Sequence, residues 1–207
     1  MQNPFDPGYY RSDDLRAMGF ASVGDNVSIS RDCTIIGLEN ITLGDNTRID
    51  TKCSIIATGP TVFEGYNHIA AFCHFVGRGG LTFERFVGIS QRVCIYTAND
   101  DYAGGYLSGP TVPVEYTNYV VAPVTIRRHA IVGTGSVVLP GVEIGIGSTV
   151  GALSLVSKSL DPWGVYAGVP VRRLKDRSDA LLELEEQLDA AVAAAPAKAG
   201  TGTAGKV

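Results

Sequence analysis

Four large apolar residues, Val23, Leu43, Phe63 and Phe83, stand twenty positions apart, and each opens a phrase of six residues. A second series, Ile29, Ile49, Ile69 and Ile89, follows six residues later, and a third, Ile35, Ile55, Phe75 and Ile95, six after that. Self-similarity at a short fixed period marks a solenoid and governs every later reading of the chain. A chain that repeats in sixes and closes in twenties is expected to wind as a parallel β-helix with three short strands per turn. A single coil cannot bury its own apolar side, so stacking on its neighbours must do so.

The phrase runs aliphatic, small or polar, two free positions, small, free, as in Val132-Gly133-Thr134-Gly135-Ser136-Val137 and Ile144-Gly145-Ile146-Gly147-Ser148-Thr149. The first position points inward. Side chains alternate across a strand, so the second and sixth positions that flank it face outward. The fifth is small because the chain turns a corner there. Cys33, Cys53 and Cys73 are also twenty apart, each at a fifth position, and Val93 continues the column. They read as small side chains stacked inside one corner. Cys94 falls at an outward sixth position. Neither a CxxC spacing nor paired histidines points to a metal.

The 207 residues suit one domain, and a formal net charge of −4 gives no reason to expect nucleic acid. No apolar run approaches the ~18 residues that a membrane span needs. Met1 to Tyr10 is polar and Pro-rich rather than a secretory leader. Together with reduced cysteines, this places the chain in the cytoplasm as an expectation. Residues 1–18 lack the hexads; Ser12-Asp13-Asp14-Leu15 reads as an N-cap and acidic first turn, with Gly19 as the stop, forming a plug for the open end of the coil. The period breaks once: after Ile95 the next coil should open near 103 but opens at Ile126, so residues 98–123 form an inserted loop. Its tyrosines, Tyr102, Tyr106, Tyr116 and Tyr119, and interspersed aliphatics suggest an ordered loop packed on a neighbour. The coil is expected to span 19–175, and a helix 176–195, with Leu181, Leu184 and Leu188 on one face. Residues 196–207, mostly Ala, Gly, Thr and Lys, read as a disordered tail.

The hexads, the extended loop and the closing run Val150-Gly151-Ala152, Val156-Ser157-Lys158 and Tyr166-Ala167-Gly168-Val169-Pro170-Val171-Arg172 resemble the hexapeptide-repeat acyltransferases over residues 19–175. That resemblance implies an all-β, left-handed parallel β-helix and a homotrimer with active sites between subunits; periodicity alone gives neither handedness nor assembly. Two branches look similar: the galactoside and maltose acetyltransferases, and the sugar-nucleotide N-acetyltransferases of O-antigen synthesis of the viosamine and perosamine type. Asn67-His68-Ile69-Ala70-Ala71-Phe72-Cys73 and Asp100-Asp101-Tyr102 look more like the second.

The family implies an acetyl-CoA donor, no metal, and a small-molecule sugar nucleotide as acceptor. Carried over by position, Thr134 and Ala152 would meet the pantetheine arm, Ser157 and Lys158 would lie further along, and Arg172 and Lys175 would face the nucleotide phosphates. The charge distribution agrees with that: a polyanionic ligand needs cations, and in this acidic chain they collect late, at Lys158, Arg172, Arg173, Lys175 and Arg177.

In the galactoside branch a loop histidine is the general base. Aligned hexads put Asp100 there, and residues 98–122 contain no histidine. A sugar hydroxyl is a weak acid and needs a base as it attacks. An unprotonated sugar amine is already nucleophilic, so a carboxylate suffices. The loss of histidine therefore favours N-acylation, with Asp100 or Asp101 orienting the amine or accepting its proton. His68 and His74, at outward sixth positions of consecutive phrases, are alternative bases or acceptor contacts. His129, at a turn beside Arg127 and Arg128, reads as solvated or near a subunit seam. Arg78 and Tyr102 are acceptor-contact candidates, although Arg78-Gly79-Gly80 also reads as an ordinary turn. The oxyanion donor is sought among backbone amides near Gly133 or Gly151. The competing readings are a sugar O-acetyltransferase using His68 or His74, and a zinc-binding or non-catalytic trimeric β-helix.

Overall fold

The repeat closes in space as it does in sequence. The computed structural model describes Asn3 and residues 5–194; the proposed tail at 196–207 lies outside the described residues. Within the first compact unit, which ends at Arg177, the chain from Ser22 onward winds as a parallel β-helix of about seven turns with three faces. The first face stacks the strands Ser22–Val23, Ile41–Leu43, Thr61–Phe63, Leu81–Phe83, Val124–Ile126 and Glu143–Ile144. The second carries Ser28–Ser30, Arg48–Ile49, His68–Ile69, Gly88–Ile89, Ile131–Val132, Thr149–Val150 and Gly164–Ala167. The third holds Thr34–Ile36, Ser54–Ile56, His74–Val76, Cys94–Tyr96, Val137–Val138 and Leu155–Val156.

Register follows the hexads: Leu43 pairs with Phe63, Phe63 with Phe83 and Phe83 with Ile126, so the insertion leaves the stacking in step. The inward column is dry. Ile49, Phe63, Ile69, Phe75, Phe83, Ile95, Val132 and Ile144 have no exposed surface. The Phe63 and Phe83 rings stack at 4.7 Å, and Phe75 meets Phe83 at 5.2 Å. The cysteine column packs as read, with Cys33, Cys53 and Cys73 donating Sγ–H to the carbonyls of Asp50, Ala70 and Ser90 in the following coils.

The first corner needs a left-handed residue at the fourth position, where φ is 58° at Asn46, 52° at Tyr66, 63° at Phe86 and 62° at His129. Such a conformation costs a non-glycine residue on the order of 1 kcal/mol. Ladder contacts offset it: Asn26 bonds Asn46 at 2.7 Å, and Tyr66, Phe86 and His129 stack in series. His129 is therefore buried within its own chain, not solvated as the sequence suggested. Its neighbours in sequence are charged, but its neighbours in space are rings.

Both ends differ in detail from expectation. Helix α1 is Ser12–Arg16, preceded by a strand Tyr9–Arg11 that runs antiparallel on Ser28–Ser30. Ser12 is inside the helix rather than capping it: its Oγ accepts the Val27 N–H at 2.8 Å, and Asp14 accepts the Arg11 N–H. Leu15 enters the apolar core at the open end, as a plug should. At the other end Asp176, expected to open a helix, instead closes the strand Arg172–Asp176. That strand pairs antiparallel with Gly164–Ala167, whose outer edge would otherwise leave its backbone groups unpaired. The second unit, Ser178–Val207, contains helix α2, Leu181–Ala194, which starts five residues later than read. Among the described residues, no helix is long and apolar enough to cross a membrane.

The insertion is an antiparallel hairpin. Ala98–Asp100 pairs with Tyr119–Val121, Asp100 opposite Tyr119, and the intervening chain carries a short turn of helix at Val114–Tyr116. It is ordered by its own backbone bonds.

Acid should weaken this fold. Burial pushes the Asp32 carboxyl up, but donors from Ser30, Thr51 and Lys52 outweigh that and hold it well below the usual carboxylate range. A depressed carboxylate contributes stability that is full above its unfolded pKa, about 4, and is lost as pH falls towards its folded value. Tm should hold between pH 7 and 5 and drop below pH 4. Asp32→Asn should lower Tm at pH 7 and flatten the acid slope in calorimetry. An equally steep slope in the variant would assign it to other carboxylates.

Candidate active site

The hairpin root is where the solenoid's regularity stops and polar side chains gather. Its backbone is tied to the coil beneath: Thr97, fully buried, accepts the Gly79 N–H on Oγ1 at 2.7 Å, and its own hydroxyl donates to Val76 O. Gly79 is required there, because a Cβ would lie 2.7 Å from Ala122 O and 2.8 Å from Thr97 O. The turn Gly77-Arg78-Gly79-Gly80 is thus clamped between the hairpin's two strands.

Asp100 ends the first hairpin strand and is exposed. It lines two cavities, each of about 370 Å³. One opens towards Arg78 and Tyr119. The other opens towards Tyr102, Leu139, Pro140 and Ser157. Asp101 is differently placed: its carboxylate accepts the N–H groups of Ala103 and Gly105, both at 2.8 Å. It shapes its own loop while bordering the cavity with Tyr102, whereas Asp100 lines both cavities and accepts only the longer Gly109 N–H bond, at 3.5 Å.

Ser157 also lines a third cavity, of about 490 Å³, together with Lys158 and Arg172. The second and third cavities therefore form a path along the coil from Asp100 to two cations. Neither Lys158 nor Arg172 is spent on a carboxylate among the described residues. The rest of the basic run divides. Arg173 bonds Asp176 and Tyr166. Arg177 donates to the carbonyls of His129 and Gly147, and burial pushes its pKa down. Lys175 lies on the edge strand, outside the cavity lining. Arg173 and Arg177 thus hold the fold, a use that sequence proximity could not reveal.

Thr134 and Ala152 occupy successive coils at an exposed corner. The amides of Gly133 and Gly151 donate to Val150 O and Tyr166 O, both at 2.7 Å, so neither is free for an oxyanion. The following amides, of Thr134 and Ala152, have no protein acceptor among the described residues.

The histidines do not gather. His68 is on the second face, where its Nε2 meets Asp50 Oδ2 at 2.8 Å in a separate cavity of about 520 Å³ with Arg48, Tyr66 and Phe86. Asp50 also accepts from Arg48 and the Tyr9 hydroxyl. Burial raises its pKa, but the bonds from His68, Arg48 and Tyr9 prevail and lower it. This cavity shares no lining residue with either of those at Asp100. His74 lies on the third face, its ring 5.9 Å from that of Tyr96. No group of three or more His, Cys, Asp or Glu side chains able to hold a metal occurs among the described residues.

Sequence reading missed Asp50 and Tyr119. Asp50 stands at an outward second position eighteen residues before His68, a coil-to-coil spacing that could have signalled contact. Tyr119 has no such signal, because it reaches Arg78 only through the hairpin.

No family model matches the chain. It is 42% identical over 172 residues to the dTDP-4-amino-4,6-dideoxy-D-glucose acyltransferase of Escherichia coli, covering 83% of this chain and 90% of that protein. Among solved structures, AntD, an N-acyltransferase from Bacillus cereus in complex with dTDP and 3-hydroxybutyryl-CoA, superposes with a TM-score of 0.86 at 39% identity, covering 90% of this chain and 98% of that one. A serine-to-alanine variant of AntD, in complex with dTDP-4-amino-4,6-dideoxyglucose and coenzyme A, superposes with a TM-score of 0.83 at 38% identity, covering 89% of this chain and 98% of that one.

Proposed function

The chain belongs to the hexapeptide-repeat acyltransferases, and on that premise we propose that it moves the acyl group of a coenzyme A thioester onto the amino group of a nucleotide-linked 4-amino-4,6-dideoxy sugar. The observation that carries this reading is Asp100, a carboxylate in place of a histidine, standing between two cavities of which one runs on to Lys158 and Arg172. The fit to the donor is chemical. Unneutralised cations suit the phosphates of coenzyme A, and the amides of Thr134 and Ala152 suit its pantetheine carbonyls. AntD variants have been solved with an aspartate or a serine replaced, ten residues apart, and Ser90 and Asp100 repeat that spacing here.

In this reading the amine nitrogen attacks the thioester carbonyl, and a C–N bond forms. Asp100 takes a proton from the nitrogen as the tetrahedral intermediate collapses. The C–S bond breaks, and coenzyme A leaves as its thiol once that proton reaches the sulfur. The sugar keeps an amide. Asp101 stabilises the loop that presents Asp100, and Tyr102 borders the donor side. The active form is a homotrimer, as in the family, working in the cytoplasm on precursors of a surface polysaccharide such as O-antigen. Acetyl-CoA is the smallest donor; AntD's 3-hydroxybutyryl-CoA is a larger one to try.

Thiol release from acetyl-CoA and 3-hydroxybutyryl-CoA tests the proposal with three acceptors: dTDP-4-amino-4,6-dideoxyglucose, its 4-hydroxy counterpart and a simple galactoside. Turnover with the amine alone supports it. Turnover with the 4-hydroxy sugar or the galactoside replaces it with O-acylation. On the donor side, Arg172→Ala and Lys158→Ala should each raise the KM for the thioester about tenfold, with kcat little changed, because the phosphates lie far from the bond that breaks. Steady-state titration of the donor reads this directly.

A further inference from the structure

Several arginines of the coil are committed. Arg16, Arg48, Arg127 and Arg173 each hold a carboxylate within 2.8 Å. Arg78, like Arg11, Arg31 and Arg92, meets no carboxylate among the described residues and lies over a ring, that of Tyr119 at 4.5 Å from the centroid; what sets it apart is that it lines a cavity with Asp100. Its backbone is held by the clamped turn, and its side chain by an aromatic face. Both constraints come from the hairpin, whose strands also supply Asp100 and Tyr119 as opposite partners. An unneutralised, preorganised guanidinium at a cavity rim is the arrangement that recognises a phosphate, because less rotamer entropy is lost on binding.

We propose that the cavity lined by Arg78, Tyr119 and Asp100 seats the diphosphate-linked sugar, with Arg78 as the anion contact and Tyr119 as the residue that positions it. The inference rests on the function proposed above and adds a direction to it. In a 4-amino sugar nucleotide, the diphosphate and the amine sit at opposite ends of the pyranose ring. A cavity with a guanidinium on one wall and a carboxylate on another matches both ends, phosphate to Arg78 and amine to Asp100. The donor then approaches Asp100 from the other cavity, along Ser157. Acceptor and donor meet across one side chain. Recognition falls on the diphosphate, so the base matters less than the phosphates.

The experiment measures inhibition by dTDP and by thymidine, together with KM for the amino-sugar nucleotide and for the acyl-CoA. The enzymes are wild type, Arg78→Gln, Arg78→Lys, Tyr119→Leu and Tyr119→Phe. In the wild type dTDP should inhibit at least about tenfold more tightly than thymidine. Arg78→Gln should raise the acceptor KM and the dTDP inhibition constant together, by about tenfold or more, with Arg78→Lys in between. Tyr119→Leu should raise both about three- to tenfold, and Tyr119→Phe should stay within about twofold, since phenylalanine keeps the ring face. The acyl-CoA KM should not move in any of them, which separates lost positioning from a damaged fold. If dTDP inhibits the wild type but its constant is unchanged in Arg78→Gln and Tyr119→Leu, the seat lies elsewhere and this inference is overturned, while the proposed reaction stands. If dTDP does not inhibit the wild type at all, the nucleotide-sugar reading falls, and this one with it.

Discussion

Asp100→Asn is expected to lower kcat by about 10²- to 10⁴-fold, the usual size of general acid–base catalysis. Asparagine keeps the shape and the hydrogen-bonding reach but cannot take the proton that the amine loses as the intermediate collapses. The donor KM should change little, because Lys158 and Arg172 are untouched, and the acceptor KM should rise only modestly, because Arg78 still holds the phosphate and asparagine keeps a hydrogen bond to the amine. Asp101→Asn should cost far less, since the Asp101 carboxylate, although it lines one cavity, is held by the Ala103 and Gly105 N–H groups at 2.8 Å. His68→Ala and His74→Ala serve as the contrast, and each should keep kcat within about tenfold of wild type, below the range that loss of a base produces. Single-turnover quench-flow at saturating thioester separates chemistry from product release. A hundredfold loss in either histidine variant, with Asp100→Asn near normal, would move the base to that histidine and reopen the O-acyl reading.

Phe83→Ala is expected to cost about 3–5 kcal/mol. The ring is fully buried, stacked on Phe63 at 4.7 Å and against Phe75 at 5.2 Å. Removing it opens a cavity in a column that cannot collapse, because backbone bonds to the coils above and below fix the strand spacing. For a domain of this length, that loss corresponds to a fall in Tm of roughly 10 °C. Phe83→Leu keeps most of the volume and should cost about 1–2 kcal/mol. Urea unfolding followed by far-UV circular dichroism measures both. A midpoint for Phe83→Ala within error of wild type would show that the coil relaxes around the gap.

The solenoid could be read in the chain because its rule is local. Each six-residue phrase meets the same requirements: one inward apolar residue, outward flanks and a small corner residue. Phe63 faces Phe83 because the period says so. The same rule located the insertion, since Ile126 resumes the register that Phe83 leaves. It failed where a residue's partner lies outside the period. Asp176 reads as the first residue of a helix, yet it pairs with Gly164 and closes the edge strand Arg172–Asp176. Ser12 looks like a cap, yet its hydroxyl serves Val27.

The site divides in the same way. That Asp100 stands where a histidine is used elsewhere, and that cations collect after residue 157, are facts of order along the chain. What each of those groups faces is not. Asp101 and Arg177 are as charged as Asp100 and Arg172, but backbone amides take the carboxylate of the one and backbone carbonyls the guanidinium of the other. His68 looked free and is held by Asp50. The amino-acid sequence by itself determined the coil, its register, the place of the insertion and the inventory of reactive groups, because these follow from a short-range periodicity that each phrase satisfies alone. Tertiary structure alone decided which of those groups stay available to a ligand, because hydrogen bonds and ring contacts across coils consume some charges and leave others exposed beside a cavity.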